Sequence, residues 1–219
     1  MNILVVGEPV NFEECKAKFG ESHVYTHQQS HENIELDAFE VIFDFILDED
    51  PFQMEGYFDN PKVPVFVNTT KISLIELSNL LNHKLSSTVF GFNGMPTFLN
   101  RQVLEVSVLE SEDQEALKNI CQRLATDYLL VEDRVGLVTP RIICMIINEA
   151  YYMVQEGNAT RDDIDRAMKL GTNYPYGPFE WCTRIGINHV YELLEAVYND
   201  THDERYKICP LLKREYLQD

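Results

Sequence analysis

Ile3-Leu4-Val5-Val6-Gly7 is a run of four apolar residues closed by a glycine, the pattern of a short strand buried on both faces and ending in a turn. The order of the segments after it decides the fold. Phe12 to Phe19, closed by Gly20, reads as a helix, and Val24-Tyr25 as a second strand. Phe39 to Leu47 is a longer apolar run, and after an acidic turn with Pro51 comes Val63 to Asn68. Apolar strands separated by polar or helical pieces imply a mostly parallel sheet with crossovers. Ile72 to Leu81 then reads as a helix, Thr88 to Phe92 and Val103 to Val108 as strands, Glu112 to Thr126 as a helix and Tyr128 to Val131 as a last strand. From Val135 onward the pattern is helices alone. Residues 137–156 carry a wide apolar stripe (Ile143, Ile146, Ile147, Ala150, Tyr151, Val154) stopped by Gly157. Thr160-Arg161-Asp162-Asp163 opens a helix ending at Gly171, Pro178 opens one ending near Gly186, and Ile187 to Tyr198 and Cys209 to Tyr216 supply two more.

Composition narrows the partners. Of 219 residues, 18 are Lys or Arg and 36 are Asp or Glu, a formal charge of −18, so a phosphate backbone or an anionic bilayer would be repelled. No window approaches the roughly 18 apolar residues of a membrane helix, and Met1-Asn2 enters the first strand without a basic leader, which predicts a cytoplasmic protein with no nucleic acid and no membrane among its partners. The five cysteines are widely spaced without a C-x-x-C, as expected of small core hydrophobes. His23, His27 and His31 have helical metal-ligand spacing, but they fall in a strand and a polar loop, and no metal is expected there. Acidic runs such as Asp48-Glu49-Asp50 read as solvated loops.

The helical half carries motifs: Asn148-Glu149-Ala150, Glu156-Gly157, Asp163 through Gly171, Tyr174-Pro175-Tyr176-Gly177-Pro178-Phe179-Glu180, and Pro210-Leu211-Leu212-Lys213. In order and spacing these closely resemble the C-terminal domain of 3-hydroxyacyl-CoA and 3-hydroxybutyryl-CoA dehydrogenases. The resemblance reaches back through Gly91 to Val106 and Asn68-Thr69-Thr70, weakening toward residue 1. It implies an α/β fold: a truncated Rossmann-like, mostly parallel sheet forming a degenerate dinucleotide-binding domain over 1–133, and an all-helical dimerisation domain over 134–219. It also implies NAD as cofactor, L-3-hydroxyacyl-CoA as substrate in fatty-acid metabolism, and pairing through the helical domain. Tyr174 to Glu180 reads as backbone geometry between helices rather than a pocket wall.

Measured against that family, the sequence departs at defined positions. A G-x-G-x-x-G turn lets backbone approach a pyrophosphate, but here it reads Gly7-Glu8-Pro9-Val10-Asn11-Phe12. Pro9 lacks the N–H of the middle glycine, Phe12 is bulky where the third is small, Glu8 adds negative charge, and the ribose-binding acid is missing near Thr26-His27. Gly7 and Asn68 remain as cofactor-side positions, and NAD binding is expected to be weak or absent. Between the second strand and Phe39 only the stretch from His27 to Ala38 stands where the family has a CoA-binding helical excursion.

Counting from Gly91, Asn93 occupies the place of the family's catalytic His. Glu105 stands at its orienting acid, Thr70 at the Ser, and Pro140 at the Asn. An amide is no base near neutral pH, and proline has no side-chain hydrogen bond to offer. Glu105 is either a residual active-site carboxylate or an alternating strand residue that faces solvent or pairs with Thr70 or Asn93. Two functions fit these remnant positions: an impaired NAD-dependent 3-hydroxyacyl-CoA dehydrogenase, and a non-catalytic dimeric binding or regulatory pseudoenzyme that takes an acyl-CoA-like small molecule.

Overall fold

A computed structural model describes residues 1–58 and 62–219, which form two compact units, Met1–Leu137 and Val138–Asp219. In the first unit β1 (Asn2–Val6), α1 (Pro9–Phe19), β2 (Val24–Gln28), β3 (Val41–Asp44), β4 (Val65–Asn68), α2 (Leu74–Leu80), β5 (Val89–Phe92), β6 (Val103–Ser107), α3 (Gln114–Arg123) and β7 (Asp127–Leu130) follow in order. The strands form one sheet ordered β2-β1-β3-β4-β5-β6-β7. All pairings are parallel except β5 with β6, where Gly91 lies opposite Ser107. This is the mostly parallel α/β architecture expected from the strand and helix pattern.

Alternation along the strands divides the core. Ile3, Val5, Phe43, Phe66 and Phe90 face α1 and α3, whose Cys15, Phe19, Leu117 and Ile120 cover them. The Phe43 and Phe66 rings stack with centroids 4.7 Å apart. Leu4, Val6, Ile42, Val65 and Val67 face the other way, covered by Leu74 and Leu77 of α2 and by Met54 and Tyr57. Those last two come from a 3-10 segment, Pro51–Tyr57, where the sequence reading expects only an acidic turn. The strand expected over Phe39 to Leu47 is shorter, because the Asp44 carboxylate accepts from the Ile46 N–H (3.1 Å) and bends the chain out of the ladder.

The second unit holds α4 (Thr139–Gln155), α5 (Arg161–Thr172), α6 (Pro178–Ile185), α7 (Ile187–Thr201) and α8 (Pro210–Tyr216). Ile143, Ile147, Ala150 and Tyr151 of α4 are buried with Trp181, Val190, Leu193 and Leu194. No helix among the described residues is long and apolar enough to cross a membrane.

Candidate functional site

The sheet order reverses at β1, which is flanked by β2 on one side and β3 on the other, and open α/β sheets bind ligands beyond the carboxyl ends of the strands at such a point. Gly7 leaves β1 there, its N–H donating to the Gln28 carbonyl (2.9 Å). The Glu8 N–H donates to Asn11 Oδ1 (2.8 Å), and the Asn11 N–H turns back to the Glu8 carbonyl (3.0 Å). Pro9, first residue of α1, has no N–H to offer. A Cβ placed on Gly7 would lie 2.8 Å from Asn11 Oδ1, so the space a glycine leaves open is taken by the chain's own amide. His27 Nε2 sits 2.8 Å from the Gly7 carbonyl, and the His27 ring stacks on Phe12 with centroids 5.0 Å apart.

At the end of β3, the Asp44 carboxylate is fully buried and heavily bonded. His31 Nε2 lies 2.6 Å from Oδ2, and the Tyr57 hydroxyl donates to the same oxygen (2.7 Å). Burial, and then the neighbouring Asp44, hold the Tyr57 hydroxyl well above the usual phenol range. The sequence weighs His31 only as a metal ligand and does not single out Asp44, although a carboxylate ending an otherwise apolar strand was the available signal. The spaced histidines are therefore parted, with His27 on Gly7 and His31 on Asp44. No group of three or more His, Cys, Asp or Glu side chains suited to a metal occurs among the described residues.

At the ends of β4 and β5 the expected remnant residues are buried: Asn68, Thr70, Asn93 and, on β6, Glu105. Burial of Glu105 corrects the solvent-facing alternative. Asn68 Oδ1 accepts from the Thr70 hydroxyl (3.0 Å), the Thr70 N–H (3.3 Å) and the Gly94 N–H (3.1 Å). Asn68 Nδ2 donates to the Phe45 carbonyl (3.1 Å) and to Asp48 Oδ2 (3.0 Å). Asn93 Oδ1 accepts from the Met95 N–H (3.3 Å), and the Asn93 N–H donates to the Glu105 carbonyl (3.2 Å). The Asn93 side chain and backbone thus hold their own loop. Gly91 is required there, since a Cβ would collide with Ser107 Oγ and Thr69 Oγ1. Pro140 is the second residue of α4 in the other unit, buried in the first turn.

Asp48, read from sequence as part of a solvated acidic loop, is the correction with most consequence. Its side chain is 1% exposed and lies 3.6 Å from Lys71 Nζ, and the Thr70 hydroxyl reaches Oδ2 (3.3 Å). Burial pushes this carboxyl up to about 7 against the pull of Lys71. An acidic run in sequence does not show that one of its members turns inward.

In the helical unit the motif residues are structural. Asp165 accepts from the Phe179 N–H (2.8 Å) and the Glu180 N–H (3.0 Å), capping α6. Gly177 is needed because a Cβ there would meet the Asp165 side chain. Asn148 bridges the chain before α8, donating to the Lys207 carbonyl (2.9 Å) and accepting from the Cys209 N–H (2.8 Å).

Residues 136–218 match the family described as 3-hydroxyacyl-CoA dehydrogenase, C-terminal domain. The helical half carries the C-terminal domain of that family. It is 41% identical over 96 residues to 3-hydroxyadipyl-CoA dehydrogenase of Escherichia coli (strain K12), 44% of this chain and 20% of that one. Over 150 residues it is 30% identical to a probable 3-hydroxybutyryl-CoA dehydrogenase of Bacillus subtilis, 67% of this chain and 52% of that relative. The chain thus spans about half the length of that relative, and a fifth of the E. coli one. The fold is that of (S)-3-hydroxybutyryl-CoA dehydrogenase from Ralstonia eutropha, with a TM-score of 0.75 at 19% identity over 99% of this chain and 93% of that one.

Proposed function

We propose that this chain takes acyl thioesters of the kind its relatives act on, in acyl-CoA metabolism in the cytoplasm, but acts as a homodimeric binding or regulatory protein rather than as an NAD-dependent dehydrogenase. The observation that carries this reading is the closed turn after β1. A dinucleotide needs free backbone N–H groups at the start of the first helix. Here Asn11 and Glu8 satisfy one another, Pro9 has no N–H, and His27, stacked on Phe12, reaches the Gly7 carbonyl through Nε2. These residues do not fit a pyrophosphate. The reacting end supports the same reading, because Asn93 supplies an amide where hydroxyl oxidation requires a proton acceptor.

A second reading, NAD-dependent oxidation of L-3-hydroxyacyl-CoA, has one observation in its favour: Asn68, Thr70 and Glu105 stand in the family's order and are buried. Calorimetric titration with NADH separates the two. The first reading expects no saturable heat, whereas micromolar affinity, with NADH formed from L-3-hydroxybutyryl-CoA and NAD, would establish the second.

A further inference from the structure

A cleft of about 560 Å³ opens on the helical unit where the last turn of α4 meets α8, within the roughly 300–1,000 Å³ usual for small-molecule sites. Leu211, Arg214 and Glu215 stand at i, i+3 and i+4 of α8, so one helix face turns all three into it. Val154, Pro210 and Leu211 give the cleft an aliphatic wall, and Gln155 and Arg161 join Arg214 and Glu215 as its polar groups. Both oxygens of Glu215 are taken: Oε1 pairs with Arg161, and Oε2 accepts from the Tyr151 hydroxyl (3.1 Å). The Arg161 guanidinium also lies over the Tyr151 and Phe179 rings, 5.3 and 4.9 Å from their centroids, which steadies its plane. Gln155 Oε1 accepts from the Leu211 N–H (2.9 Å) and the Cys209 thiol (3.5 Å). Only the oxygen of the amide can answer an N–H, so the Gln155 NH2 group is left as a donor without a protein partner among the described residues. Arg214 is exposed and makes no ion pair or hydrogen bond among the described residues.

We propose that this cleft binds a monocarboxylate carrying a short aliphatic chain, its carboxylate taken by Arg214 and the Gln155 amide and its chain laid along Val154, Pro210 and Leu211. Each part of the assignment follows from a lining group. A guanidinium and an amide NH2 offer only N–H donors, and an ionised carboxylate only acceptors. Two guanidiniums against one carboxylate leave the lining one net positive charge, which a monoanion matches. A phosphate dianion or a nucleotide would bring further negative charge onto a protein of formal charge −18. The aliphatic wall gains from covering a chain, which an anion the size of acetate does not supply. The cleft shares no residue with the turn after β1 or with the ends of β4 and β5, so it stands apart from the function proposed above.

The test is an NMR titration of the intact protein at about pH 7.5, read at the amides of Val154, Gln155, Leu211 and Arg214. It compares hexanoate with hexanamide, acetate and hexyl phosphate, the last largely a dianion at that pH. Hexanoate should bind at least about tenfold more tightly than hexanamide or acetate, and no less tightly than hexyl phosphate. Arg214→Ala, at an exposed position, should weaken hexanoate at least about tenfold, whereas Lys213→Ala, the neighbouring exposed cation outside the cleft, should leave it unchanged. Hexanoate that fails to saturate these amides, or that binds no better than hexanamide, would overturn the proposal. Acetate binding as tightly would remove the aliphatic wall from it, and tighter binding of hexyl phosphate would replace the carboxylate by a phosphate. Equal losses in the two variants would show attraction by net charge and no recognition by Arg214. None of these results bears on the NADH titration, so the two proposals fail separately.

Discussion

Taking a carboxylate out of water favours its protonated form, and Asp48 is the residue where this has a measurable consequence for the whole unit. Its folded-state value of about 7 lies above that of an ordinary carboxyl, so the folded protein holds the proton more tightly than the unfolded chain. The contribution of this group is complete below about pH 4 and is lost as pH rises through about 7. A shift of this size corresponds to a few kcal/mol, or roughly several degrees of melting temperature. Thermal unfolding at pH 5 and pH 8 should therefore show a larger fall for the wild-type protein than for Asp48→Asn. Equal falls would mean that Asp48 is solvated. Nothing in Asp48-Glu49-Asp50 separates the inward residue from its neighbours; the distinction arises from Lys71 and Asn68, 20 or more positions away in the chain.

Helix ends show the same division between near and distant partners. Thr160 caps α5 through the Asp163 N–H (3.2 Å), a bond within one turn that the Thr160-Arg161-Asp162-Asp163 motif announces. The cap of α6 comes instead from Asp165, 14 residues before the Phe179 N–H it accepts. Because both of its oxygens hold backbone donors, Asp165→Ala should destabilise the helical unit by about 1–3 kcal/mol. Asp162→Ala, which removes an exposed first-turn charge, should cost less than about 1 kcal/mol. Urea unfolding followed by the fluorescence of the single tryptophan, Trp181 within α6, gives the comparison. Similar effects of the two substitutions would show that the cap adds little.

Loss of the family's chemistry, as proposed here, is spread over several places, which makes it hard to reverse. Asn93→His would put an imidazole back on the loop that Glu105 joins through its carbonyl, yet the closed turn at Gly7 and Pro140 would remain. Groups that act as a unit are not restored one at a time. The variant should accordingly form no NADH from L-3-hydroxybutyryl-CoA and NAD; activity confined to the variant would show the cofactor turn to be competent. Pairing of the helical unit is the other expectation for the whole molecule. The α4 stripe is largely consumed within the unit, with Ile147 fully buried, whereas Val138, just before α4, and Ile142 within it are about half exposed. Ile142→Glu should then convert a dimer to a folded monomer in sedimentation, while a wild-type monomer at micromolar concentration would remove the proposed pairing.

Strand and helix order, the direction of most of the sheet and the helical motifs were legible because each is written in residues a few positions apart: apolar alternation, the 3.6-residue period, a proline or glycine at an end. The departures proposed at Gly7 and Asn93 are read in the same way, each lying within a short motif. The inward turn of Asp48, the His31–Asp44–Tyr57 cluster and the Asn11 amide filling the space at Gly7 were not. Sheet crossovers bring the partners of Asp44 and Asp48 together across 13 to 23 residues, and Asn11 acts through a space that exists only once α1 has docked on β1. A polar side chain carries the same letter whether it meets water or a buried partner, and only the packing of distant segments determines which it meets.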